Sequence, residues 1–149
     1  MTVETLHTSP AFVQLRATEP NSAVVIDLIA EAAGDLDPPA RQRIGDVEIL
    51  VDSPRAILAE KLCALLERSE LRDLIDIEAL VRNGELLQTA IDDAPRRDSG
   101  FSPLTLAWIL RTLDVAAMAP SSGIDPPAAQ RLDDFRRWLI DRLVEPDER

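Results

Sequence analysis

The charged residues whose spacing could support chemistry gather in one stretch, Lys61-Leu-Cys-Ala-Leu-Leu-Glu-Arg68-Ser-Glu-Leu-Arg72-Asp73-Leu-Ile-Asp76. Lys61 comes four residues after Ile57 and four before Leu65, on a helical row where an apolar side chain belongs. Arg68 continues that row. Lysine is rarely fully buried unless something pairs with it, so Lys61 calls for an anion: Asp73 or Asp76 on the next segment, or an anionic ligand. Read structurally, the stretch is a helical hairpin with an internal Lys–Asp ion pair and a snorkelling lysine stem. A second candidate is Asp27, inside the apolar run Ala23-Val-Val-Ile-Asp-Leu-Ile29. A carboxylate in a buried strand is costly unless it is paired, hydrogen-bonded or metal-bound, and such residues more often serve structure than a metal.

The elements that must position these groups can be read from the flanking residues. Ser53 is placed to cap a helix, with Pro54 at the first helical position, where its missing N–H costs nothing. Ile57, Leu58, Leu62, Leu65 and Leu66 then form one stripe. A second helix starts after Ser69, with Leu71, Leu74, Ile75 and Val81 as its buried side and Asp73 on an edge with Ile77 and Leu80. Upstream, Phe12–Thr18 alternates like a half-buried strand, turns at Glu19–Ser22 and continues as the Asp27 strand, together an antiparallel hairpin. Residues 1–10 lack periodicity and read as a loose start. Glu31–Arg43 reads as an acidic surface loop and Val47–Val51 as a further short strand. Downstream lie a short helix over Glu85–Ala94 and a Pro95–Gly100 loop with a solvated Arg96-Arg97 pair. Two more helices follow, one from Ser102-Pro103 with Leu106, Ile109, Leu110 and Leu113 inside, and one over about Pro127–Val144. In the last, Leu132, Phe135, Trp138, Leu139 and Leu143 share one side. Its interleaved arginines and aspartates mark a solvated face rather than an RNA-binding helix.

Composition narrows the function classes. At 149 residues, one domain that can bury a real core is expected. The expected class is α+β. Residues 1–52 would supply a short antiparallel or mixed sheet, a β-hairpin plus one strand, and residues 53–149 a mainly helical part packed on it. A net charge of −11 argues against general electrostatic affinity for nucleic acid, leaving only a local patch for any RNA contact. One cysteine, Cys63, and one histidine, His7, exclude an internal disulfide and a Cys/His zinc site. Cys63, beside Leu62, reads as small packing rather than a nucleophile. With no signal peptide and no apolar run of about 18 residues, a cytoplasmic protein without membrane contact is expected.

The pattern Lys61-Leu-Cys-Ala-Leu-Leu-x-Arg68-x-x-x-Arg72-Asp73-Leu-x-Asp76 resembles the C-terminal signature of AbiEii/AbiGii-type nucleotidyltransferases, toxin-like members of the polymerase-β nucleotidyltransferase superfamily. The Ile26-Asp27-Leu28 strand before it and Gly100–Trp108 after it resemble that family too, so that the likeness covers most of residues 11–115. In such enzymes two acids on one strand and a third on a neighbouring strand hold Mg²⁺ and the triphosphate, since hard cations need oxygen ligands. The resemblance implies that Asp27 is the third acid, a catalytic and metal-binding position. It implies further that Lys61 meets the triphosphate or departing pyrophosphate as a compact point charge. Arg68, Arg72, Asp73 and Asp76 complete the implied nucleotide site, the aspartates orienting Lys61 or Arg72. The implied substrates are an NTP and an acceptor, which is the tRNA 3′ end in the toxin relatives.

The same superfamily opens with a Gly-Ser or Gly-Gly turn that cradles phosphates, followed by an Asp-x-Asp strand. None of the five glycines begins such a unit. Asp35-Leu-Asp37 has the letters but follows Asp27 in a Pro-rich loop, the wrong order for the metal pair. The expectation is a chain that starts just after the catalytic strand and is incomplete or inactive alone. Three readings follow: a missing half supplied by a protein partner, a degenerate homologue that still binds a nucleotide, or a non-catalytic helical interaction module. An antitoxin partner, or self-association through surface left uncovered, fits the first two.

Overall fold

The computed structural model describes residues 1–30 and 39–145. The contacts divide the chain into two compact units, Met1–Gly34 and Asp35–Arg149, and the class is α+β.

The first unit is an antiparallel meander of β1 (Thr2–Ser9), β2 (Phe12–Glu19) and β3 (Ser22–Ile29) in the order β1-β2-β3. The expected hairpin is therefore present. It gains a third strand from the residues read as a loose start, where Val3 and Leu6 stand three apart and no period-2 alternation announces a strand. Side chains alternate across the pleat, and the register pairs Val13 with Leu28, Leu15 with Ile26 and Ala17 with Val24, so these six share a face. Gln14 and Asp27 pair on the opposite face. Here an expectation fails. Asp27 is exposed and its Oδ1 accepts a hydrogen bond from Gln14 Nε2 at 2.9 Å. The apolar run suggests burial, but β3 is an edge strand whose Val24, Leu28 and Ile29 also stand open.

The second unit begins with a hairpin of β4 (Ala40–Ile44) and β5 (Val47–Val51). Its first strand lies in the segment read as a loop, because Arg41-Gln-Arg43 carries no apolar alternation of its own. Among the described residues six α-helices follow: α1 (Pro54–Arg68), α2 (Leu71–Arg82), α3 (Leu87–Arg97), α4 (Pro103–Thr112), α5 (Val115–Met118) and α6 (Pro126–Val144). The cap of α1 is as expected: Ser53 Oγ accepts from the Ala56 N–H at 3.1 Å, with Pro54 opening the helix. α1 is central, packed on α2, α3 and α4, while α6 closes over α2, α4 and α5. Leu58, Leu62 and Leu65 of α1 meet Leu74 and Ile77 of α2, Leu106 and Leu110 of α4, and Leu132 and Leu139 of α6 in one core. Among the described residues no helix is long and apolar enough to cross a membrane.

α2 is rotated from its expected phase. Ile77 rather than Ile75 turns inward, Ile75 is 38% exposed, and Asp73 goes fully inside with Leu71 and Leu74. The helix gives up an isoleucine to solvent so that a carboxylate can reach the cations of α1. α1 itself ends at Ser69, whose φ of 55° and ψ of 37° are left-handed and whose N–H bonds to the Leu65 carbonyl at 3.1 Å. Glycine adopts this conformation without the Cβ penalty. Ser69→Gly should therefore raise the unfolding free energy by roughly 0.5–1 kcal/mol in urea denaturation, and a loss of stability would show the serine hydroxyl to matter more than its backbone.

Candidate functional site

The joint between α1 and α2 brings together four of the charged residues singled out by spacing. Ser69 and Glu70 turn the chain so that the last turns of α1 face the first turns of α2. Asp73 is at the centre with a side-chain exposure of 0%. Arg68 grips it with two prongs, Nε to Oδ2 and Nη2 to Oδ1, both at 2.8 Å. Lys61 Nζ donates to the same Oδ1 at 3.1 Å and lies 2.6 Å from Asp76 Oδ2. The Lys61 side chain is 25% exposed and that of Asp76 40%, so the ammonium sits on the boundary between core and solvent.

The electrostatics follow from this geometry. Burial opposes the Asp73 charge, but hydrogen bonds from Arg68 and then Lys61 outweigh it and hold the carboxyl below the usual carboxylate range. Burial likewise opposes the Lys61 charge, and bonds to Asp76 and Asp73 outweigh it, so the ammonium stays protonated above its ordinary range. The hydrogen bond to Asp73 raises Arg68 further, against a smaller effect of burial. Lys61, Arg68 and Asp73 are therefore each held in the charged form at neutral pH.

Arg72 points away from Asp73, its Nη2 donating to Glu70 Oε2 at 3.3 Å, and is largely exposed. Asp27 belongs to the first unit. Asp35 and Asp37 lie outside the described residues. The Arg96-Arg97 pair, read as a solvated spot, divides: Arg97 is mostly buried and its Nη1 lies 2.7 Å from Glu60 Oε1, on the turn of α1 next to Lys61. The signal missed was that α3 runs on through Pro95 to Arg97, although proline has no N–H to donate to the Ile91 carbonyl. Arg55 and the buried Asp93 form another α1–α3 pair, at 2.6 Å. Cys63 is the inert packing residue expected: its thiol approaches the Ala94 carbonyl at 3.5 Å, and burial pushes its pKa up to about 11.

These side chains could receive an anion at Lys61. They do not by themselves fit Mg²⁺, because both Asp73 oxygens and one Asp76 oxygen already face cations, and a metal ligand must offer free lone pairs. Among the described residues no three His, Cys, Asp or Glu side chains converge as a metal set.

The model of the nucleotidyl transferase AbiEii toxin family, of type IV toxin–antitoxin systems, matches residues 5–143. The chain belongs to that family. The match spans both units and the whole Lys61–Asp76 cluster, and it makes a nucleotidyltransferase-type toxin the class to which the site must answer. No curated protein and no solved structure matches the chain. Within this AbiEii-type protein, Lys61 is a quarter exposed and lies between the carboxylates of Asp73 and Asp76.

Proposed function

We propose that this chain carries the nucleotide-binding, non-metal side of a nucleotidyltransferase, with Lys61 receiving the triphosphate of an NTP. The observation behind it is the Lys61 ammonium at the α1–α2 joint, inside an apolar row yet open to solvent on one side. The reaction is in-line attack of an acceptor hydroxyl oxygen on the α-phosphorus. A new P–O bond forms, the bond to the β-phosphate oxygen breaks, and pyrophosphate leaves. Lys61 contributes charge to the outgoing phosphates in a site where fixed cations act strongly. The acceptor proposed from the toxin relatives is the tRNA 3′ end, met through a local patch on an acidic protein. Mg²⁺ is the proposed cofactor, and Asp27 of the first unit is the carboxylate that the family resemblance assigns to it. This chain alone is proposed to bind without turnover, since among the described residues there is no Gly-Ser turn and no Asp-x-Asp strand. Transfer would then need a polypeptide that supplies both, in the cytoplasm, with an antitoxin as the controlling partner.

A second reading rests on the same ion pairs. Lys61, Arg68, Asp73 and Asp76 satisfy one another, which is enough for a helical interaction module with no ligand. Calorimetric titration with Mg²⁺·NTP separates the two. The nucleotide reading expects binding that Lys61→Ala weakens by about tenfold or more, roughly 1.4 kcal/mol, and that Asp27→Asn also weakens. Absence of binding by the wild-type protein, with both variants folded, would leave the interaction module.

A further inference from the structure

Asp73 receives more positive charge than it needs, and that surplus is unevenly anchored. Its buried carboxylate accepts two bonds from Arg68 and one from Lys61. The Arg68 grip is a bidentate guanidinium–carboxylate pair, the stronger and more directional kind. The Lys61 contact is single and longer, and the shortest Lys61 contact is to the half-exposed Asp76. If Lys61 turns outward, Asp73 keeps a full counter-charge and Asp76 can rehydrate. If Arg68 is removed, Lys61 becomes the one cation on a buried carboxylate, and leaving it would strand an uncompensated charge, which is strongly unfavourable.

We propose that Arg68 is a positioning residue for Lys61: by neutralising Asp73 with both of its prongs, it frees the ammonium to exchange Asp76 for the phosphates of a ligand. The phosphate part of this inference rests on the nucleotide reading above, whereas the control of Lys61 by Arg68 stands on the geometry of the cluster. It assigns to Arg68 an action through Asp73 rather than a direct ligand contact. It also makes a prediction that simple loss of a contact does not: neutralising Asp73 should repair the loss of Arg68.

Lys61 is the only lysine in the sequence, so its amine can be followed singly. Two measurements on the full chain decide the matter. One is the rate at which Lys61 is reductively methylated, read by peptide mass spectrometry. The other is calorimetric affinity for inorganic triphosphate. Arg68→Gln should slow Lys61 methylation and weaken triphosphate binding, each by about tenfold. Arg68→Gln with Asp73→Asn should restore both to within about threefold of wild type, because no buried charge then holds the ammonium. Arg68→Lys, which cannot grip with two prongs, should fall between, and serves if Arg68→Gln folds poorly by circular dichroism. Unchanged methylation in Arg68→Gln, or a double variant no better than the single one, overturns the inference. If methylation follows the expected order but triphosphate binds nowhere, positioning by Arg68 holds and the nucleotide reading fails. If triphosphate binds through Lys61 but is indifferent to Arg68, the nucleotide reading holds and the inference fails.

Discussion

Replacing both cations on Asp73, as Lys61→Met with Arg68→Met, is expected to lower the unfolding free energy by about 3–5 kcal/mol at neutral pH. Asp73 has no exposed side-chain surface and depends on three hydrogen bonds from these two residues. Without them a carboxylate in the α1–α2 joint must stay charged and unpaired or take up a proton. Each single substitution leaves one cation behind and should cost distinctly less. Adding Asp73→Leu to the pair should recover most of the loss, since an apolar replacement of a whole buried ion cluster is often neutral or better.

The pH dependence gives the same expectation a sign. In the wild-type protein the folded Asp73 carboxyl titrates below its unfolded value, despite the opposing effect of burial, because Arg68 and Lys61 prevail. The unfolded chain therefore binds the proton first as pH falls. The contribution of Asp73 is present above the ordinary carboxylate pKa of about 4 and is lost as pH drops through the folded value. In the double Met variant only burial remains, the folded carboxyl titrates above the unfolded one, and this group then favours folding as pH falls. Urea denaturation at pH 7, 4.5 and 3 reads both effects, since the double variant gains on wild type between the first two and the wild-type contribution falls away only below about pH 4. A double variant within about 1 kcal/mol of wild type at pH 7 would mean that water reaches Asp73 and compensates it without the cations.

The residues that were legible in sequence are those whose meaning is local. Ser53-Pro54 announced the start of α1, Ser102-Pro103 that of α4, and the Leu58/Leu62/Leu65 row its buried face. Lys61 was conspicuous as a charge inside that row. What could not be read was how far each helix turns about its own axis. α2 offers Ile75 and Ile77 at neighbouring positions, and either phase buries a respectable stripe. The decision lies with the Arg68–Asp73 pair, a contact between helices that periodicity does not register. The strands were misjudged for a related reason. An apolar run such as Ala23–Ile29 states an appetite for burial but not the neighbour that would satisfy it, so the exposure of Asp27 is a property of an edge strand rather than of its residues. β1 and β4 were missed because each is made a strand chiefly by a partner, β2 and β5, whose own apolar alternation is stronger. Arg97 was hidden by Pro95, which reads as a stop because it cannot donate an i→i−4 hydrogen bond, yet α3 continues two residues past it.

Leu62→Ala is expected to lower the unfolding free energy by about 2–5 kcal/mol. Leu62 is fully buried in the shared core of α1, α2, α4 and α6, so truncation removes apolar contacts and leaves a cavity that four helices cannot easily close. Leu66, one turn further along α1, is only partly buried against that core, and Leu66→Ala should cost markedly less. Leu62→Met, which nearly conserves volume, should stay under about 1.5 kcal/mol. The comparison bears on the site because Leu62 adjoins Lys61 in sequence but points about 100° away around the helix. Its loss should loosen the core without moving charge at the α1–α2 joint. Molecules of Leu62→Ala that remain folded should therefore show wild-type reductive methylation of Lys61, while the fraction unfolded in mild urea rises steeply. Equal costs for Leu62→Ala and Leu66→Ala would misplace the buried row of α1. Altered Lys61 reactivity in the folded protein would mean that core packing, and not the Arg68–Asp73 pair alone, sets the position of the ammonium.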